Sequence, residues 1–253
     1  MSPIVISLLV CAVLLGGSLA GVLLRRRLPE QHLDSATKDM VRLGCALVAT
    51  MSGLVLGLLT NSAKSTYDSQ RDEIHQLAAS VSLLDWLLTK YGPEAHQARA
   101  QLRDTIAAMI PRIWDDGTVH AAHMAPMQTS AAGENAYEAI RVLPVKDDLQ
   151  RHYRDEALRT ATTVLQTRLT LYQQTDSGMP KLFLGVLVFW LFVLFASFSL
   201  FSPINTTGFA ALVLVALCIS GAIFVILEMY QPFSGLVQID SDTLRNALPP
   251  LTS

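Results

Sequence analysis

Three stretches without a charged side chain constrain this chain more than anything else in it. Ile4 to Leu24 and Leu43 to Ala63 are 21 residues each, and Leu182 to Leu227 is 46. About 20 residues of helix cross a hydrocarbon core, and backbone N–H and C=O groups in lipid must be satisfied within the segment, so such stretches become helices. The longest is interrupted by Ser202-Pro203-Ile204-Asn205 and therefore divides into two spans around a tight turn. Four transmembrane helices are expected, over residues 4–24, 43–62, 182–201 and 207–228.

Composition agrees: 51% of the residues are hydrophobic and 16% charged, with a mean hydropathy of +0.38, which excludes an ordinary soluble domain. The net charge is -2, from 19 basic and 21 acidic residues, and no RNP, zinc-finger or basic-region pattern is present, so nucleic acid is not an expected partner. Cys11, Cys45 and Cys218 all lie in apolar stretches without CxxC spacing and read as packing residues.

The first span differs from a secretory signal because its positive charges, Arg25, Arg26 and Arg27, follow the apolar run instead of preceding it. Five basic residues lie in the loop from Arg25 to Arg42, and five flank the spans on the other side: Lys64, Arg71, Arg168, Lys181 and Arg245. The compact arginine triplet abuts a span and carries more weight in the positive-inside rule. Residues 64–180 are accordingly expected outside the cytoplasm.

That intervening segment reads as helical throughout. Ile74, Leu77, Val81, Leu84 and Leu88 continue the second span as one amphipathic face until Tyr91-Gly92-Pro93. A helix from Pro93 to Trp114 carries Ala98, Leu102, Ile106, Met109, Ile110 and Ile113 on its apolar side. Thr118 to Gly133 reads as a loop, Glu134 to Val142 as a short helix, and Asp147 to Gln174 as a long one presenting Leu149, Tyr153, Leu158, Ala161, Val164, Leu165 and Leu169. No stretch alternates with the period of a strand. The expected class is all-α: an integral membrane protein with four transmembrane helices and a helical extramembrane domain between helices two and three. Its parts are residues 1–63, 64–180 (continuous with helix two), 181–230 and a C-terminal tail, 231–253.

Within the second span, Ala46, Ala49, Thr50, Gly53, Gly57, Thr60, Lys64 and Arg71 share a face at 100° per residue, and Asn61 extends it. Gly53-x-x-x-Gly57 lets two backbones approach closely. One reading is packing within a subunit. The other is a ring of identical helices whose small, then polar, face lines an axial passage, with Lys64 favouring anions at its boundary. As a single chain, Lys64 also fits a snorkelling anchor at the interface.

Catalytic patterns are missing: there is no GxSxG, Walker loop, GxGxxG or HExxH, and no cofactor is expected. His120, His123, Met124 and Met127 could hold a soft metal but lack a third strong ligand at fixed spacing, so metal binding is not expected. Asp115-Asp116 reads as a helix end and Asp147-Asp148 as favourable charge at a helix start. Glu228 closes the fourth span. It either solvates among headgroups or faces the bundle and needs a proton or a cation, for which Lys64 is the candidate.

Four stretches together carry a family resemblance: Ala49-Thr50-Met51-Ser52-Gly53-Leu54-Val55-Leu56-Gly57-Leu58-Leu59 with Ala63-Lys64-Ser65; Tyr91-Gly92-Pro93-Glu94-Ala95; Phe189-Trp190-Leu191 through Phe198 to Pro203 and Asn205; and Leu227-Glu228-Met229 with Pro232-Phe233-Ser234-Gly235-Leu236, Leu244-Arg245 and Ala247-Leu248. Over nearly its whole length the chain resembles the bacterial bestrophin-like domain family of membrane proteins of unknown function, departing from it at Tyr230-Gln231. The resemblance implies a multi-pass protein of the bacterial inner membrane. By analogy with bestrophins it implies a homo-oligomer, a pentamer, passing small anions along an axis lined by helix two, with membrane lipid around it. The competing expectation is a non-conducting scaffold or sensor whose helical domain binds a partner.

Overall fold

The computed structural model describes residues 2–27, 35–114, 131–175, 181–201 and 206–248. It is all-α, with no strand among the described residues. In order, the helices are α1 (Pro3–Arg27), α2 (Ser35–Tyr91), α3 (His96–Trp114, entered through a 3-10 turn at Pro93–Ala95), α4 (Ala131–Arg141), α5 (Asp148–Thr175), α6 (Lys181–Phe201), α7 (Thr206–Met229) and the short α8 (Asp242–Arg245). Four of them, α1, α2, α6 and α7, are long and apolar enough to cross a membrane.

The helix α2 has 57 residues. At 1.5 Å per residue it is about 85 Å long, against a hydrocarbon core of about 30 Å, so most of it is not a span. It stops where the sequence forbids continuation: Gly92 takes a positive φ of 123°, open to glycine, and Pro93 follows. The Ala95 N–H then donates to the Gly92 carbonyl at 3.1 Å and closes the turn into α3.

The chain divides into two compact units. The first is Met1–Thr66 with Met179–Tyr230. In it α1 packs against α6 and α7. Val10, Leu14, Leu187, Leu191, Ala216 and Ile223 fill its interior, joined by Leu59 and Ala63 of α2.

The second unit is Tyr67–Gly178 with Gln231–Ser253. Its core is the amphipathic face expected of α2: Ile74, Leu77, Val81, Leu84 and Leu88 are each at most 1% exposed. Burying such side chains from water contributes about 1.5–3 kcal/mol each. Ala98, Leu102, Ile106, Met109 and Ile113 of α3 meet them. The stripe expected on α5 is only partly covered: Ala161 is buried, but Leu149 and Leu169 remain exposed, because Ala157 and Leu171 turn inward instead. Residues 231–248 are built into this unit. The Trp114 indole N–H donates to the Ile239 carbonyl at 2.7 Å, its ring meets Phe233 edge-on, and the Ser82 hydroxyl donates to the Ala247 carbonyl at 2.7 Å.

Candidate functional site

The face of α2 singled out from sequence is open in the subunit. Ala49, Gly53, Gly57, Thr60, Asn61 and Lys64 are all exposed, and a Cβ added at Gly53 or Gly57 would meet nothing within 4 Å. The helix turns a different side to its own core: Ser52, Leu59 and Ala63 are buried, and Cys45, Val48, Val55 and Leu56 pack alongside. A third sector carries the large apolar side chains Leu47, Met51, Leu54 and Leu58, more than half exposed, a surface suited to lipid tails. The small-residue sector is chemically distinct from both.

Its hydroxyls satisfy themselves. Thr50 donates to the Ala46 carbonyl at 2.9 Å and Thr60 to the Leu56 carbonyl at 2.8 Å. This back-bonding uses the hydroxyl proton and leaves the oxygen lone pairs facing outward. Beyond them the Asn61 amide and the Lys64 ammonium supply donors, so the sector grades from small to hydroxylated to cationic over four turns.

At the end of α2's stretch in this unit lies a second polar group. Glu228 on α7 is 2% exposed, so it lies inside the unit and not among headgroups. The Tyr230 hydroxyl donates to Ser62 Oγ at 3.0 Å and ties the end of α7 to α2 two residues before Lys64. Lys64 itself points to an exposed surface.

Close helix packing occurs at a pair of glycines that sequence reasoning passed over. On α1, a Cβ at Gly17 would come within 2.8 Å of the Phe192 carbonyl oxygen, and one at Gly21 would overlap the Ala196 carbonyl of α6 outright. The signal was present as Gly17-Ser18-Leu19-Ala20-Gly21, a small-xxx-small pattern in the first span. Among the cysteines, Cys11 and Cys45 pack against the membrane core, whereas Cys218 is exposed; all are free thiols.

In the helical unit the main polar feature is a buried carboxylate. Asp85, 3% exposed, receives both arms of the Arg99 guanidinium at 2.9 Å, with Arg103 at 3.8 Å. Asp85 follows Leu84 on the buried stripe of α2, and a charge on an apolar stripe is the cue that could have revealed it. Nearby, burial and the adjacent Glu94 carboxylate raise the Tyr91 phenol above its usual pKa, and its hydroxyl donates to the Pro144 carbonyl. Glu94 pairs with Lys146, which lowers the carboxyl and raises the ammonium. Asp147 caps α5, accepting the Gln150 N–H at 2.6 Å.

No metal-binding group of His, Cys, Asp and Glu side chains forms among the described residues. His120, His123, Met124, Met127, Asp115 and Asp116 lie outside the described residues, as do Pro203 and Asn205 of the expected turn. The profile of one protein family, described as the Bestrophin-like domain, matches residues 12–244. Among curated proteins and among solved structures no match is found.

Proposed function

The chain belongs to the bestrophin-like domain family, and from that membership we propose a homo-oligomer in which the open face of α2 lines an axial passage for small anions. The observation that carries this reading is the exposure of Ala49, Gly53, Gly57, Thr60, Asn61 and Lys64 on a helix whose other side is buried in its own subunit. Packing within one subunit leaves that face unused. Copies arranged around an axis would enclose it, with small residues allowing close approach and a ring of Lys64 setting the sign of the permeant ion. Five copies are favoured by the architectural analogy with bestrophins. Glu228, inside the subunit beside the end of α2, is then the counter-charge for Lys64.

We place the protein in the bacterial cytoplasmic membrane with the helical unit outside, on the strength of Arg25, Arg26 and Arg27 directly after the first span. A single cysteine at the exposed position Asn135, in a background lacking the three native cysteines, tests this in intact cells. Reaction with a membrane-impermeant maleimide is expected, and protection until lysis would reverse the orientation.

Conduction is tested by chloride efflux from liposomes carrying purified protein. Efflux that falls on Gly57→Leu and loses anion preference on Lys64→Glu is the expected result. No efflux, or efflux indifferent to both changes, would favour a non-conducting scaffold or sensor. That second reading draws on Leu83, Trp86 and Leu149, large apolar side chains left 46–60% exposed in the helical unit, where a protein partner could cover them.

A further inference from the structure

The interior of the helical unit contains a partly open cavity of about 50 Å³. Each of its long helices contributes wall: Leu84 from α2, Ile106 from α3, Tyr137 from α4, and Val164 and Arg168 from α5. A buried water needs on the order of 10–15 Å³ of such space and two to four polar partners. This space is several times larger, and its surface is almost wholly apolar, so its chemistry favours hydrocarbon over water. Its modest volume suits a slender chain better than a fused ring system.

The wall is also asymmetric in charge. Arg168 is the one charged side chain lining it, no carboxylate lines it, and Tyr137 adds a hydroxyl. We infer that this cavity binds the alkyl chain of a single-chain amphiphile with an anionic head, a fatty acid carboxylate being the simplest, held at its head by the Arg168 guanidinium. Arginine suits that role because its planar fork matches a carboxylate in two hydrogen bonds. The inference is independent of whether the assembly conducts ions, since every lining residue belongs to the helical unit.

The test uses the full chain in phosphatidylcholine nanodiscs with palmitate bearing a diazirine near the chain end. After irradiation, label is expected on the peptides that contain Leu102 to Met109 and Ala161 to Arg168, removed by excess unlabelled palmitate and far less by hexadecanol. Arg168→Gln should weaken competition by palmitate about tenfold, the loss expected for one charge-assisted pair. Filling the cavity with Ala161→Phe should abolish the label. Ala136→Val, a smaller intrusion from α4, keeps the test informative if the phenylalanine prevents folding. Label confined to the membrane helices, label unchanged in the cavity-filled variant, or equal competition by hexadecanol and palmitate would each overturn the inference. A diazirine phosphatidylcholine in the bilayer that labels the same peptides as strongly would overturn the choice of a single-chain ligand.

Discussion

Two glycine pairs share the same spacing and the same unit, and the subunit uses only one of them. Gly17 and Gly21 on α1 are pressed against α6, where an added Cβ would strike backbone carbonyls; Gly53 and Gly57 on α2 face open space. The motif states only that a backbone can be approached. Whether it is approached depends on which way its face turns, and that is decided by the rest of each helix. Gly17 and Gly21 fall with Val10, Leu14 and Ser18 on the buried side of α1. Gly53 and Gly57 fall opposite Ser52, Leu59 and Ala63, the side by which α2 joins its own core. A helix that spends one face on its own subunit and leaves a close-packing face open is built for a second contact or for a lumen.

The same division between used and open sides runs along α2 into the helical unit, and the largest effect is expected there. Asp85→Ala leaves Arg99 and Arg103 without their carboxylate in a buried setting and should cost about 3–5 kcal/mol. Leu83→Ala, two residues away on the exposed side, should stay near 0.5 kcal/mol. Denaturant titration of both variants breaks the contrast if their costs are similar.

In the membrane unit, Gly21→Leu forces α1 away from α6 and should destabilise the subunit by about 1–3 kcal/mol, as overpacking does. Gly57→Leu should leave subunit unfolding nearly unchanged while altering the oligomer seen by native mass spectrometry. If both variants destabilise the isolated subunit equally, the open face is not open.

A smaller loss of about 1 kcal/mol is expected for Tyr91→Phe, which removes the donor to the Pro144 carbonyl. Thermal melts of this variant calibrate what one polar contact on the used side contributes.

The smallest effect belongs to the exposed Glu94–Lys146 pair, read through pH. Glu94 is lowered by Lys146, so its contribution is present above the ordinary carboxylate pKa and is lost as pH falls through its depressed value. Lys146 is raised by Glu94, so its contribution is whole below the ordinary lysine pKa and is lost as pH rises through the raised value. Stability should be flat between these limits, and Glu94→Gln should flatten both limbs in a pH series of melts.

The sequence by itself determined the all-α class, the four apolar helices and the places where helices stop. Those properties are local: a stretch without charge has one solution in lipid, Gly92-Pro93 ends a helix wherever it stands, and Ile74 to Leu88 repeat with the period of one face. Tertiary structure decided which faces meet. It chose α1 over α2 for close glycine packing, buried Glu228 where a headgroup position was equally compatible with its place in the chain, joined Asp85 to Arg99, and folded residues 231–248 against Trp114. Helical period assigns side chains to a face but carries no information on the rotation of one helix against another. That rotation is set by contacts between residues far apart in the chain, and the open glycine face of α2 is its result.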